Sequence, residues 1–398
     1  MKDCNLYCTN CSKKFPLTKG GSRCDVCGEP LEVEKFLGKI REGNPLTQKV
    51  LKRYQEFFPF LDKELDFSLG EGFTPLIENK KLANELGISK LWFKNETVNP
   101  TWSFKDRGTV TGVLYALSQN YKKIGTVSTG NMAVSVAAYG KLSDLSTYIF
   151  VSDTIPEEKL NPIAIHGANL IKVIGDYGDL YYKALELGER NEVCFINSDS
   201  PFRVLGYKTL AFEICEQLNF DIPDFVIIPT GAGGNIRGII KGFQEFYESG
   251  YITKIPRFIC AQSKGVNPID LAFRNNEEKI SRFKDPKTIT GAIGNPFPPS
   301  GNRVLSLLKK TNGYTVATTN EEIIIAQKKL AENGLFVQPG SACSYSGLIH
   351  LIEEGIITKN DSVACVLTGS GLKYTAIFER HNLSSERYDI DNLDGILK

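Results

Sequence analysis

Lys105 stands in the hexapeptide Ser103-Phe104-Lys105-Asp106-Arg107-Gly108, between the turn Asn99-Pro100-Thr101 and the helical pattern Val110, Val113, Leu114, Leu117. A short apolar strand, Leu91-Trp92-Phe93, runs ahead of it. At a helix start the local dipole is positive and disfavours an ammonium. That suits a lysine that must attack an aldehyde, because only the neutral amine is nucleophilic. Taken alone, the segment also fits a surface lysine in a first helical turn. Three further segments weigh against that reading.

Ser128-Thr129-Gly130-Asn131 follows Ile124-Gly125-Thr126-Val127 and opens an alanine-rich helix with Ala133, Val136, Ala137 and Ala138. Hydroxyls and backbone N–H groups at a helix start bind anions such as a substrate carboxylate, although an ordinary polar cap has the same composition. Gly231-Ala232-Gly233-Gly234-Asn235 sits between the strand-like Phe225–Pro229 and the helical Ile236–Ile240. Four small residues in a row exceed what a tight turn needs and suit a phosphate cradle. The cradle is not a dinucleotide fingerprint, whose third glycine would fall on Ile236. Thr368-Gly369-Ser370-Gly371 ends the strand Val363–Leu367, where an uncharged hydroxyl can bond a ring nitrogen. All three lie where parallel strands hand over to helices, the ligand side of an open α/β sheet.

In this order the motifs resemble those of the tryptophan-synthase-β type of pyridoxal-phosphate enzyme, and within it the threonine synthases. Gly70-Glu71-Gly72-Phe73-Thr74-Pro75-Leu76 and Asn197-Ser198…Pro201…Arg203…Gly206…Lys208-Thr209 add to the likeness, which covers roughly residues 65 to 375. The resemblance implies a pyridoxal-phosphate-dependent carbon–oxygen lyase converting O-phospho-L-homoserine and water into L-threonine and phosphate. Dehydration of serine or threonine, or β-replacement on O-phosphoserine, is the alternative on the same cofactor. Lys105 would carry the cofactor and serve as base and acid, with Phe104 against the ring and Asn131 on its phenolic oxygen. Gly231, Ala232, Gly233, Gly234 and Asn235 would surround its phosphate, and Thr368 would meet the ring nitrogen. Ser128 and Thr129 would bind the substrate carboxylate. Asn197, Ser198 and Arg203 would hold the leaving phosphate, a guanidinium gripping it with two hydrogen bonds. Trp102, Ala232, Gln338 and Ser370 depart from residues common in the family, and they leave the identity of the donor open.

These groups need elements to hold them. Apolar strands alternate with helical patterns from Leu91 onward, as in Ser146–Val151, Asn169–Ile174 and Arg257–Ala261, which predicts parallel sheet covered by helices on both faces. The fold class is therefore α/β, and the resemblance implies two open parallel-sheet domains with the cofactor between them. On the same resemblance residues 109–200 would form a small mobile domain, and 35–108 with 201–398 the large one. Residues 35–66, with Val50, Leu51, Tyr54, Phe57 and Phe58, read as an amphipathic helical stretch. Asp389, Asp391 and Asp394 read as a solvated acidic end.

The ten cysteines fall into two groups. Cys194, Cys215, Cys260, Cys343 and Cys365 sit singly among apolar neighbours, as reduced core residues do. Cys8-x2-Cys11 and Cys24-x2-Cys27, twelve residues apart, are two knuckles of a structural zinc ribbon over residues 1–34, with turns at Gly20-Gly21 and Gly28 and with Cys4 as the spare. Lys2, Lys13, Lys14, Lys19 and Arg23 balance Asp3, Asp25, Glu29, Glu32 and Glu34 there, so nucleic-acid binding is not expected. Over all 398 residues, 47 basic and 46 acidic side chains leave a net charge of +1, and 41% of residues are hydrophobic. No apolar run approaches the length of a membrane span, and Met1-Lys2-Asp3-Cys4 lacks a secretory core. A cytoplasmic enzyme with a small amino-acid substrate follows, and a homodimer is compatible with it.

Overall fold

A computed structural model describes residues 4–19, 21–61, 67–175, 177–381, 383–385 and 387. Gly20, the Lys2–Asp3 pair and the acidic end with Asp389, Asp391 and Asp394 lie outside them. The chain opens with three short antiparallel strands, β1 (Asn5–Cys8), β2 (Lys14–Pro16) and β3 (Leu31–Val33), in the order β2-β1-β3. Leu6, Phe15, Leu31 and Val33 point inward. The four knuckle cysteines sit at the end of β1 and in the turns beyond it.

The amphipathic helix expected over 35–66 does not form in the described part of that segment. It contains α1 (Val50–Arg53) and two 3-10 turns, Pro45–Thr47 and Gln55–Phe57. Breakers explain this: Gly43 takes φ +108, and a Cβ on Gly38 would come within 2.7 Å of Glu56. The apolar residues still reach the core, because Tyr54 and Phe57 pack on Phe212 and Phe246.

Next come β4 (Leu76–Glu78), α2 (Lys80–Leu86), β5 (Lys90–Asn95) and α3 (Lys105–Ser118). The following stretch alternates β6 (Lys123–Val127), α4 (Asn131–Leu142), β7 (Ser146–Ser152), α5 (Glu157–Ala164), β8 (Asn169–Val173), α6 (Tyr177–Asn191) and β9 (Val193–Phe195). Then follow α7 (Pro201–Gln217), β10 (Phe225–Pro229), α8 (Gly234–Glu248), β11 (Arg257–Ser263), α9 (Pro268–Arg274), α10 (Gly301–Lys310), β12 (Tyr314–Thr318), α11 (Asn320–Glu332), α12 (Pro339–Glu353) and β13 (Ser362–Leu367). Helix starts carry recognisable signals. Asn79 accepts from Leu82 N–H, Thr319 and Glu322 form a capping box, and Pro201 and Pro339 stand in first turns.

Two sheets result. The larger has the order β12-β11-β10-β13-β5-β4, parallel except for β4 on β5. The smaller is parallel throughout, in the order β8-β7-β6-β9. Phe225–Pro229 is buried at every position, as a strand covered on both faces must be.

Helix α7 ties these parts together through buried ions. Lys94 Nζ donates to Glu213 at 2.7 Å, to the Thr74 carbonyl at 2.7 Å and to Gln217 at 2.9 Å. Arg107 bonds both Glu96 and Glu213, and Lys208 bonds Glu245 at 2.9 Å. Arg107 is two residues from Lys105, so this cluster fixes where α3 begins.

Candidate active site

Strands β5 and β13 are parallel neighbours, and their carboxyl ends bring two motifs together. Phe104 N–H donates to the Thr368 carbonyl at 3.0 Å and Ser370 N–H to the Trp102 carbonyl at 3.0 Å, while Ser103 pairs with Gly369. Trp102 takes φ +61, a left-handed conformation that a side chain rarely adopts. Lys105 is the first residue of α3, and its Nζ lies 4.4 Å from the Phe104 ring centre. Burial, then the charges of Arg203 and Lys373, push its ammonium down to about 7. The neighbouring Asp106 is stapled away from it by Thr101 and Ser135.

The glycine turn follows β10 and opens α8. Gly233 takes φ +91, and a Cβ there would meet Ser300 at 2.9 Å. A Cβ on Gly231 would come within 2.8 Å of the Ile293 backbone, and one on Gly234 within 2.5 Å of the Ser198 carbonyl. Ala232 accepts from Ser300 N–H at 3.1 Å. Asn235 is buried, yet neither its Oδ1 nor its Nδ2 has a partner, which is uncommon for a buried amide and marks a place for a bound group.

Asn131 begins α4 and donates to Gln338 Oε1 at 2.8 Å. A Cβ on Gly369 would lie 3.3 Å from Asn131 Nδ2, so the α4 start adjoins the turn after β13. Ser128 and Thr129 are half-buried just before it, and Ser128 Oγ accepts from Gly130 N–H. Thr368 shares a 2.8 Å hydrogen bond with Ser341.

On the other side, Asn197 Oδ1 accepts from Val127 N–H at 3.0 Å, while its Nδ2 is buried without a partner. Arg203 is fully buried on the first turn of α7. Its Nε donates to Tyr207 at 2.8 Å and its Nη2 to the Lys105 carbonyl at 3.3 Å, and Nη1 is uncommitted. Gly108 makes this contact possible, since a Cβ there would sit 2.7 Å from Arg203 Cγ. Hydrogen bonds and backbone contacts thus link the strand ends and helix starts that carry the residues singled out from the sequence. Gln338, Ser341, Tyr207 and Lys373 belong beside them; Lys373 lies in the same Thr-Gly-Ser-Gly-Leu-Lys run as Thr368, whereas no sequence signal distinguishes Ser341.

In the ribbon, the sulfurs of Cys8, Cys11, Cys24 and Cys27 all lie within 4.8 Å of one another. Cys8 and Cys27 are 3.4 Å apart and Cys11 and Cys24 3.7 Å, close to the edge of about 3.8 Å in a tetrahedron of ~2.3 Å zinc–sulfur bonds. Backbone N–H groups of Asn10 and Cys11 point at Cys8 Sγ, and that of Val26 at Cys24 Sγ. Cys4 stays outside the group, and the five later cysteines are buried and free.

A buried lysine with a lowered ammonium and a glycine cradle, both beyond the carboxyl ends of parallel strands, define a cofactor-dependent α/β enzyme. The chain belongs to the pyridoxal-phosphate dependent enzyme family, whose model matches residues 67–369. It is 39% identical over 373 residues to the threonine synthase of Methanocaldococcus jannaschii, covering 92% of each chain. It is 32% identical to that of Methanosarcina acetivorans, covering 93% of this chain and 92% of that one. Among solved structures, threonine deaminase isoform 2 from Solanum lycopersicum superposes with TM-score 0.66 at 22% identity, over 77% of this chain and 81% of that one, and so shares the fold. Among the described residues no helix is long and apolar enough to cross a membrane.

Proposed function

We propose that this chain is a threonine synthase, converting O-phospho-L-homoserine and water into L-threonine and phosphate. The observation that carries the reading is Arg203, fully buried beside Lys105 with Nη1 uncommitted. A buried guanidinium nitrogen calls for an anion, and free serine or threonine offers no phosphate to fill the place. The close match to curated threonine synthases supports the same substrate.

The residues present fit pyridoxal phosphate. Gly231, Ala232, Gly233, Gly234 and Asn235 would hold its phosphate, Asn131 its phenolic oxygen, Thr368 its ring nitrogen, and Phe104 would lie against the ring. When bound, pyridoxal phosphate draws electrons from the substrate's Cα. Lys105 Nζ, neutral in much of the population near pH 7, can accept a proton at carbon and return it. Thr368 is uncharged and already shares its hydroxyl with Ser341, so it does not add a proton to the ring. Ser128 and Thr129 fix the substrate carboxylate, while Asn197, Ser198 and Arg203 hold the phosphate as it leaves. In this reading residues 109–200 close over the substrate, against a cofactor domain of 35–108 and 201–398, in a cytoplasmic homodimer.

Arg203→Ala is expected to remove charge-assisted bonds worth roughly 1.5–3 kcal/mol, or about ten- to a hundred-fold in kcat/KM for O-phospho-L-homoserine. Arg203→Lys should recover only part, since an ammonium lacks the planar fork. Cofactor absorbance should stay unchanged. Kinetics on O-phospho-L-homoserine, O-phosphoserine, threonine and serine check this. An equal loss on the unphosphorylated substrates would make Arg203 structural and favour a dehydratase.

Zinc is inferred for the four ribbon cysteines at about one ion per chain. Cys8→Ser and Cys24→Ser are expected to lower metal content and the melting temperature, with cofactor uptake retained. Elemental analysis beside absorbance measures both. Full metal loss without any change in stability would remove the structural role.

A further inference from the structure

The ribbon reaches the substrate loop through an ion pair with a fully buried carboxylate. Arg23 precedes Cys24 and turns inward. Its Nη1 donates to the Gly28 carbonyl at 3.0 Å, inside the knuckle, and its Nη2 to the Pro299 carbonyl at 3.0 Å. The same Nη2 lies 2.9 Å from Asp199 Oδ2. Asp199 has no side-chain exposure, and its Oδ1 accepts from the Tyr181 hydroxyl on α6.

Asp199 follows Asn197-Ser198 and precedes Arg203 in the segment assigned above to the substrate phosphate. A carboxylate buried in that segment opposes an incoming phosphate unless a cation neutralises it. Arg23 is that cation, and it comes from the ribbon rather than from either sheet. The loop has little slack elsewhere. Asn197 is held by Val127 N–H, and the Ser198 carbonyl is pressed on Gly234.

We propose that Arg23 is a positioning residue for the substrate phosphate. By neutralising and anchoring Asp199 it keeps the Asn197–Arg203 segment in its anion-binding form, which makes the ribbon part of the substrate site. The proposal rests on the phosphate reading above.

The test compares wild-type, Arg23→Ala, Tyr181→Phe and Arg23→Ala/Asp199→Asn holoenzymes. It measures KM and kcat on O-phospho-L-homoserine, the calorimetric Kd of inorganic phosphate, cofactor absorbance and metal content. Arg23→Ala is expected to raise KM and the phosphate Kd together by about ten-fold, with kcat changed by less than about three-fold and with cofactor and metal retained. Tyr181→Phe should raise the same two quantities less. Removing the charge of Asp199 in the double variant should restore part of the lost phosphate affinity, a coupling that a general loss of structure would not produce. An unchanged phosphate Kd in Arg23→Ala, or a double variant no better than the single one, overturns the proposal. If Arg23→Ala does not fold, Tyr181→Phe decides it by the same Kd. Wild type that binds phosphate but does not turn over O-phospho-L-homoserine would sink the threonine synthase reading, while the Kd ratio still judges Arg23. Wild type that binds no phosphate overturns both.

Discussion

Replacing Lys105 with alanine is expected to give a folded protein without the imine absorption band, whose turnover of O-phospho-L-homoserine falls by at least about a hundred- to ten-thousand-fold, the usual share of a positioned acid–base group alone. Wild type should be yellow, and borohydride should bleach it. The pH dependence carries the physical argument. Burial and the neighbouring Arg203 and Lys373 hold the Lys105 ammonium at about 7, so its neutral form predominates above that pH. The rate at which apoprotein takes up pyridoxal phosphate should therefore rise through pH 7 and level off within about two pH units, whereas an unperturbed lysine would climb toward about 10.4. Stopped-flow absorbance across this range reads it directly. A rate still rising steeply above pH 9 would mean that Lys105 is solvated like any surface amine.

Glu213→Ala is expected to be the most destabilising single change, costing about 3–5 kcal/mol, because it strands Lys94 as a buried cation and leaves Arg107 with Glu96 alone. Glu213→Gln, which keeps the shape, should cost less. Against burial, which raises it, Arg107 and Lys94 lower the Glu213 carboxyl from 4.5 to about 2. Its contribution is therefore complete above pH 4.5 and disappears as the pH falls toward 2. Burial holds Lys94 below the usual lysine range even though Glu213 raises it, so Arg107 is the firmer cation of the two. Urea unfolding at neutral and acid pH measures these effects. A neutral-pH loss below about 1 kcal/mol, ordinary for an exposed pair, would dismiss the cluster as the anchor of α3.

Local signals read well in the sequence, and distant partnerships did not. Lys105 does open a helix, Gly231–Asn235 does join a strand to a helix, and the two Cys-x2-Cys pairs do converge, because each depends on neighbours within a few positions. The stretch over 35–66 has apolar spacing that reads as helical, while in its described part, 35–61, Gly38, Gly43 and Pro45 set the path. Partners such as Asn131 with Gln338, Thr368 with Ser341 and Glu32 with Arg237 are joined only by the fold. Glu32 shows the effect clearly. It reads as one half of a balanced ribbon charge, yet it is buried and bonded to Arg237 and Arg303.

The place of β13 in the larger sheet has a consequence for how the chain is made. Ser362–Leu367 pairs with Lys90–Asn95 on one side and with Phe225–Ile227 on the other, so the strand that joins the two halves of that sheet is the last of its strands to be synthesised. The smaller sheet, drawn wholly from residues 123–195, can pair as soon as it leaves the ribosome. Until β13 emerges, β5 and β10 each present an unpaired edge, the kind of surface on which nascent chains aggregate. The same insertion delivers Thr368 to Phe104, so the candidate active site is completed in the step that closes the sheet.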